Sequence, residues 1–204
     1  VSQVATSVTL APTSLNFASL SDTATLVPTV KDANNNTIPS PTVTWATSAE
    51  GVATVSSAGL VTAIADGSAT LTATSGSLTA TAAATVSQVA ASVTLAPTSL
   101  SFSSIDDTTT LVPTVRDAND NVMSGATVTW ATSAEGVATV SSAGLVTAIA
   151  NGTATITATS GSVNATATAT VSQVAASVTL APTSLSFASV SDTATLVPTV
   201  KDAN

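Results

Sequence analysis

The sequence has no cysteine, histidine or tyrosine, and it contains few aromatic or charged residues. The absence of cysteine excludes a disulfide-stapled scaffold. Without histidine or cysteine, neither a Ser-His-Asp nor a Cys-His arrangement can form. No G-x-S-x-G, P-loop or paired-glycine nucleotide motif occurs either. We therefore expect no catalytic residues, no cofactor and no enzymatic activity.

Basic residues are also scarce. The sequence contains three lysines and arginines in total and eleven acidic residues, which gives a net charge of −8. Nucleic-acid binding requires clustered lysine and arginine to displace counterions from phosphates, so the composition excludes that class of partner. No apolar run approaches the length of a membrane span, so we expect no membrane insertion in this segment.

What the sequence does contain is threonine, serine, valine and alanine, with 44% hydrophobic residues but only 2% aromatic ones. This composition favours strands over helices. It also predicts a thin core in which small side chains surround a few large ones.

An internal repeat organises the chain, because the string VSQVA begins at Val1, Val86 and Val171, a period of 85 residues. The first two copies differ at 19 of 85 positions, and the third differs from the first at three of its 34. We assign repeat 1 to residues 1–87, repeat 2 to 88–172 and a truncated repeat 3 to 173–204. Two strands cannot close a sandwich, so we expect the natural chain to continue beyond the third copy.

Segments of alternating apolar and polar residues predict about seven strands in each repeat. In repeat 1 they cover residues 7–11, 23–31, 42–47, 52–56, 60–64, 68–75 and a last segment from 78 to 86, with a short edge segment at 14–17 after the first strand. Seven or so short strands at this spacing are typical of an antiparallel sandwich. The buried register changes from even to odd positions near Ser87 and Gln88. This change predicts a short, stiff junction between repeats.

Two groups of residues are candidates for a site or for the core. Residues 117–121 read Asp-Ala-Asn-Asp-Asn, and the oxygens of Asp117, Asn119, Asp120 and Asn121 suit a hard cation such as calcium. The alternative is a plain polar hairpin turn, since Asn and Asp tolerate left-handed backbone geometry. The acid pair at 106 and 107 is predicted to be a solvated loop.

The few aromatic residues recur at fixed repeat positions, and we predict that they anchor the cores: Trp45, Trp130, Phe17 and Phe102. Each tryptophan alternates with an inward valine, which favours a core position. The alternative is an exposed platform on which a sugar ring stacks.

Three segments of repeat 1 together resemble the bacterial immunoglobulin-like domains of group 2, found in invasin- and intimin-type surface proteins. They read SVTLAPTSLNF, TATLVPTVKDANNN and VTWATSAEGVATVSSAGLVTAIADGSATLTATSG. The resemblance implies an all-β fold of tandem immunoglobulin-like antiparallel β-sandwiches, here expected end to end as a rod. It also implies an extracellular or cell-surface location in a bacterium.

Three functional hypotheses follow. The first is a structural module whose partners are the neighbouring repeats, forming a rigid rod or filament, with lateral self-association into a multi-chain filament. The second is an adhesin module that binds carbohydrate or a surface ligand. The third is an accessory domain of a secreted hydrolase or of a phage fibre.

Overall fold

The computed structural model describes residues 3–204, so Val1 and Ser2 of the predicted first repeat lie outside the described residues. These residues form strands, turns and loops without any helix, and thus without a helix able to cross a membrane. Repeat 1 contains nine strands: β1 Ser7–Ala11, β2 Ser14–Phe17, β3 Thr23–Thr25, β4 Val27–Lys31, β5 Thr44–Thr47, β6 Ala53–Val55, β7 Leu60–Ala63, β8 Gly67–Ser75 and β9 Leu78–Val86. The predicted all-β class is confirmed.

Repeat 2 contains the same nine strands, each displaced by 85 positions. They are β10 Ser92–Ala96, β11 Ser99–Phe102, β12 Thr108–Thr110, β13 Val112–Arg116, β14 Thr129–Thr132, β15 Ala138–Val140, β16 Leu145–Ala148, β17 Gly152–Ser160 and β18 Val163–Val171. Because the two copies share their apolar positions, they form the same strands in the same order.

The strands of repeat 1 form two layers. One layer is a four-stranded sheet in the order β2-β9-β8-β5, and the other contains β3-β7-β6 with β1-β4 as a separate pair. The predicted strand over residues 23–31 is in fact two strands, divided at the fully buried Leu26, whose N–H donates to the Gly59 carbonyl at 2.9 Å. β3 pairs with β7, whereas β4 pairs with β1. The side-chain alternation continues through the division, so only the hydrogen-bond partners reveal it.

The sandwich is not antiparallel throughout, which corrects the expectation from sequence. β2 runs parallel to β9, with Ser14 opposite Ala83 and Phe17 opposite Val86, and β11 repeats this pairing with β18. β1 ends at Ala11 because Pro12 has no N–H to continue its ladder. The chain then leaves the β1-β4 pair and joins the opposite sheet beside the last strand.

The cores consist mainly of leucine, isoleucine, valine and alanine, with one buried phenylalanine in each of repeats 1 and 2. In repeat 1, Leu26, Leu71 and Val61 are fully buried, and alanines of β8 and β9 fill the space between the sheets. Small side chains allow the two sheets to approach closely. This arrangement agrees with the thin core predicted from composition.

Repeat 3 forms only one strand pair, β19 Ser177–Ala181 with β20 Val197–Lys201. Its large apolar side chains are exposed, including Phe187 at 55% and Leu180 at 48%. The strands that cover the corresponding residues in repeats 1 and 2 have no counterparts within the 204 residues. Burial in this fold therefore requires the later strands of the same repeat.

The described chain forms two compact units, and their limits cross the repeat boundaries. The first unit runs up to Ser92 and also includes Val115–Ala126, whereas the second comprises Val93–Thr114 and Thr127–Asn204. Residues 117–121 of repeat 2 therefore belong to the first unit.

Candidate functional site

The 117–121 turn, the predicted cation-binding segment, is a tight loop closed by its own aspartate. The Asp117 N–H donates to the Asn121 carbonyl at 3.0 Å, and the Asp117 Oδ1 accepts the N–H groups of Asn119 and Asn121 at 3.0 and 2.9 Å. Asp120 has a positive φ of 66°, a conformation that aspartate tolerates better than most residues. The predicted polar hairpin turn is therefore present.

The outer face of this turn binds the loop at residues 19–22 of repeat 1. The Leu20 N–H donates to Asp117 Oδ2 at 2.9 Å. In the other direction, the Leu20 carbonyl accepts from the side-chain amides of Asn119 and Asn121 at 2.8 and 3.0 Å. The Asn119 amide also reaches Asp22 Oδ1 at 2.8 Å. Both backbone polar groups of Leu20 are thus satisfied by one turn that lies about a hundred residues later in the sequence.

Asp117 is the central residue of this contact, and only 3% of it is exposed. Its Oδ2 also accepts from the Gln88 side-chain amide at 2.9 Å. Burial raises the pKa of the Asp117 carboxyl, but hydrogen bonds from Gln88, the Leu20 N–H and Asn121 outweigh burial and lower this pKa to about 2. The carboxylate is therefore charged at any ordinary pH, and N–H donors surround it.

This arrangement brings together three of the four predicted cation ligands and leaves one outside. Asp117, Asn119 and Asn121 converge on Leu20. Asp120 points away, and its Oδ1 lies 3.6 Å from Arg116 Nε. In the part of the chain that the structure describes, no three acidic side chains are grouped as metal ligands. The side chains of the turn are therefore placed to bind the backbone N–H and carbonyl of Leu20 and the side-chain amide of Gln88. Calcium binding at this turn stays a prediction.

The same contact recurs one period later, within the second unit. Asp202 Oδ2 accepts the Ile105 N–H at 3.0 Å and the Gln173 side-chain amide at 2.8 Å. The Asn204 side-chain amide donates to the Ile105 carbonyl at 2.7 Å and to Asp107 Oδ1 at 3.2 Å. The hydrogen bond from Gln173, followed by that from Ile105, lowers the pKa of Asp202. The bonds of Asp117 and of the Asn119 side chain across the contact therefore recur at Asp202 and Asn204.

The acid pair at 106 and 107 is more than a solvated loop, which corrects the expectation from sequence. Asp107 Oδ2 accepts the Ser104 N–H at 3.1 Å, as Asp22 Oδ2 accepts that of Ser19. Asp106 has a positive φ of 64° and is exposed. Asp107 thus shapes the loop at residues 104–107, which binds Asp202 and Asn204, whereas Asp106 is exposed to solvent.

The predicted core anchors divide into two kinds. Phe17 and Phe102 are buried, at 6% and 4% exposure. Trp45 and Trp130 are half-buried, and Trp45 packs against the edge of the core. A shallow cleft of about 310 Å³ lies beside each indole, in equivalent places. The tryptophans lie on β5 and β14, which are edge strands, and no further strand of the same sheet covers them on their outer side.

Reasoning from sequence did not identify the other half of the contact, which is the 19–22 loop together with Gln88. The binding groups of Leu20 are backbone atoms, so its residue type carries no signal. The repeat does carry a signal for this contact, because two of its residues are unchanged among copies that vary elsewhere. They are the glutamine at 3, 88 and 173 and the aspartate at 22, 107 and 192.

Comparisons with known proteins identify a sequence family and several similar folds. The model of the bacterial Ig-like domain (group 2) matches residues 4–86 and again 89–171. No curated protein sequence matches the chain.

Among solved structures, domains 1–6 of the surface layer protein SbsC are 21% identical, with a TM-score of 0.41 over 89% of this chain and 30% of that one. The Yersinia pseudotuberculosis adhesin InvE is 17% identical, with a TM-score of 0.39 over 81% of this chain and 58% of that one. The Escherichia coli adhesin FdeC is 19% identical, with a TM-score of 0.43 over 100% of this chain and 76% of that one. The chain thus spans about 30% of the length of the SbsC structure.

Proposed function

The chain belongs to the group 2 bacterial immunoglobulin-like domains, and we propose that its repeats form a stiff extracellular spacer. In this proposal the repeats build a rod or filament that projects from a bacterial surface. The module has no enzymatic role, because the sequence lacks the histidine and cysteine on which most nucleophilic sites depend. Its immediate partners are the neighbouring repeats of the same chain.

The observation that carries this proposal is the bonding of the junction between repeats 1 and 2. Four backbone N–H groups between β9 and β10 are hydrogen-bonded to the first unit. Ser87 donates to the Phe17 carbonyl at 3.0 Å and Val89 to the Ala18 carbonyl at 2.9 Å. Gln88 donates to Asp66 Oδ1 at 2.8 Å. Flexible linkers leave their backbone groups to water, so a linker bonded in this way supports a stiff junction.

The 117–121 turn adds a second connection at the same junction. It bonds a turn of repeat 2 to a loop of repeat 1 through four hydrogen bonds, to Leu20 and Asp22. A fifth bond joins the turn to Gln88 at the start of repeat 2. The bonds of the linker and of the turn recur 85 residues later, at Ser172, Val174 and Asp202. Identical junctions favour a constant step from one repeat to the next. Only 7% of the residues in the sequence are charged, which lowers the repulsion between rods and favours lateral association.

Small-angle X-ray scattering and electron microscopy of the chain test this proposal. A strand layer of 9–11 residues at about 3.3 Å each, with its loops, gives an expected advance of roughly 40 Å per repeat. We expect a narrow distribution of angles between successive repeats. Inserting Gly-Ser-Gly-Ser after Gln88 is the matched perturbation, and we expect it to broaden that distribution. A broad distribution in the unaltered chain would contradict the spacer proposal.

A further inference from the structure

Both tryptophans and both glutamates of the sequence line the two equivalent clefts beside the indoles, one cleft in each complete repeat. In repeat 1 the lining includes Trp45, Glu50 and Thr54, and in repeat 2 the residues 85 positions later take the same places. We call these two sites the Trp-Glu clefts. Each has a volume of about 310 Å³. Known small-molecule sites span about 300–1,000 Å³, so each cleft suits one small chemical group.

The indole of each Trp-Glu cleft is fixed in place before any ligand arrives. Trp45 lies opposite Ala73 in the pairing of β5 with β8. A Cβ at Gly59 would lie 2.9 Å from Trp45 Cζ2, and Gly144 has the same relation to Trp130. The glycine backbone therefore packs directly against the benzene ring of the indole. A side chain held in this way loses little conformational entropy when a ligand binds to it.

The glutamate of each cleft is exposed and carries a charge that the chain does not neutralise. Within residues 3–204 the one ion pair between side chains joins Arg116 to Asp120, and neither Glu50 nor Glu135 has a basic partner. The net charge of −8 adds a general attraction for cations. Each cleft thus places an unpaired carboxylate beside an indole.

The other polar groups of the clefts favour a cation over an uncharged ligand such as a sugar. The hydroxyl of Thr132 already donates to the Ala138 carbonyl at 2.9 Å and accepts the Ala134 N–H at 3.3 Å. That of Thr47 accepts the Ala49 N–H at 3.3 Å. A carboxylate only accepts hydrogen bonds, and the face of an indole attracts positive charge. A sugar requires donors as well as acceptors, whereas a cation is satisfied by acceptors and an aromatic face.

We propose that each Trp-Glu cleft binds a guanidinium group, presented by an arginine side chain of a partner protein. The guanidinium is planar and weakly hydrated, so it stacks on the indole while its N–H groups donate to the carboxylate of Glu50 or Glu135. The ammonium of lysine is compact and strongly hydrated, and it fits this arrangement less well. The repeats thus capture a basic partner in addition to acting as a spacer, and neither role depends on the other.

The test follows the two indole N–H resonances of the isotope-labelled full-length chain by NMR, with acetyl-arginine amide as the probe. Each resonance reports its own cleft, and Trp130→Phe assigns them. Because the clefts are open to water, we expect a dissociation constant of roughly 1–10 mM at both. Acetyl-citrulline amide has nearly the same shape without the charge, and it should shift neither resonance at these concentrations.

Glu50→Gln separates charge recognition from a general effect on the protein. It should weaken probe binding at Trp45 about fivefold and leave binding at Trp130 unchanged, so the second cleft is an internal control. Glu135→Gln should give the reverse pattern. Asp106→Asn removes the same charge from an exposed residue outside both clefts and should change neither.

Three outcomes would overturn the inference. The first is the absence of any shift up to about 50 mM acetyl-arginine amide, well above the expected dissociation constant. The second is an equal shift with acetyl-citrulline amide, and the third is a Glu50→Gln chain that binds the probe equally well at both tryptophans. Shifts with methyl pyranosides but not with the arginine probe would assign the clefts to carbohydrate instead. The angles between repeats test the spacer proposal separately, so either proposal can fail alone.

Discussion

Asp117→Asn tests the contact between the repeats directly, because the chain contains its own control at Asp32. The two aspartates have the same bonds within their turns and the same glutamine partner. Only Asp117 also accepts the Leu20 N–H. Both substitutions remove one negative charge, so the difference between them isolates the bond to the preceding repeat.

The expected magnitude follows from the two oxygens of Asp117. In Asp117→Asn the amide oxygen can keep the Oδ1 position inside the turn. Its NH₂ group then faces two donors, the Leu20 N–H and the Gln88 amide, both of which lie 2.9 Å from Oδ2. Hydrogen bonds to charged groups contribute about 1.5–3 kcal/mol, and nearby water reduces this value at a turn. We expect a loss of about 2–3 kcal/mol for Asp117→Asn and a clearly smaller loss for Asp32→Asn.

Urea denaturation followed by tryptophan fluorescence measures this difference. Trp45 lies in the first unit and Trp130 in the second, so a Trp130→Phe background makes the signal specific for the first unit. Hydrogen exchange at the Leu20 amide gives a local measurement, and its protection should fall about tenfold in Asp117→Asn for each 1.4 kcal/mol lost. Equal effects of Asp117→Asn and Asp32→Asn, with unchanged Leu20 protection, would refute the assigned role of the bond.

Three further predictions concern pH, glycine and calcium. The pKa of Asp117 is lowered from 3.8 to about 2, so its contribution to stability is complete above pH 3.8 and is lost as the pH falls through about 2. The Leu20 amide shift should therefore titrate near pH 2 in the unaltered chain and stay flat in Asp117→Asn, and a midpoint near 3.8 would contradict this. Gly144→Ala should destabilise the second unit by on the order of 3 kcal/mol in urea. The reason is that Gly144 has a φ of +80° and a Cβ there would lie 2.6 Å from the Leu111 carbonyl. Gly136→Ala, with nothing within 4 Å, should change stability by less than about 0.5 kcal/mol, and equal effects would count against this account. N–H donors surround the Asp117 carboxylate, so we expect that neither calcium nor a chelator shifts the thermal unfolding midpoint measured by circular dichroism. A rise of this midpoint by several degrees with calcium would support the cation site instead.

The sequence alone predicted the positions of most strands in the two complete repeats and the face that each of them buries. Alternation over Leu78–Val86 predicted β9 with its bounds and its buried face, and the 85-residue period predicted the same strands in repeat 2. Alternation is a local property, because successive side chains of a strand point to opposite faces wherever the strand lies. It can therefore be recognised without knowledge of the partner strands.

Only the tertiary structure decided which groups each strand and turn bind. The alternation over residues 23–31 is continuous, yet β3 and β4 pair with different strands, because a change of hydrogen-bond partner need not change the buried face. The half-buried Trp45 likewise lies on β5, whose edge position no local pattern records. Asp117 is the clearest case. Its residue type predicted a turn or a cation site, but its main partner is a backbone N–H that lies 97 positions earlier in the sequence. A backbone N–H is common to nearly every residue, so folding alone selected the Leu20 N–H as the partner of Asp117.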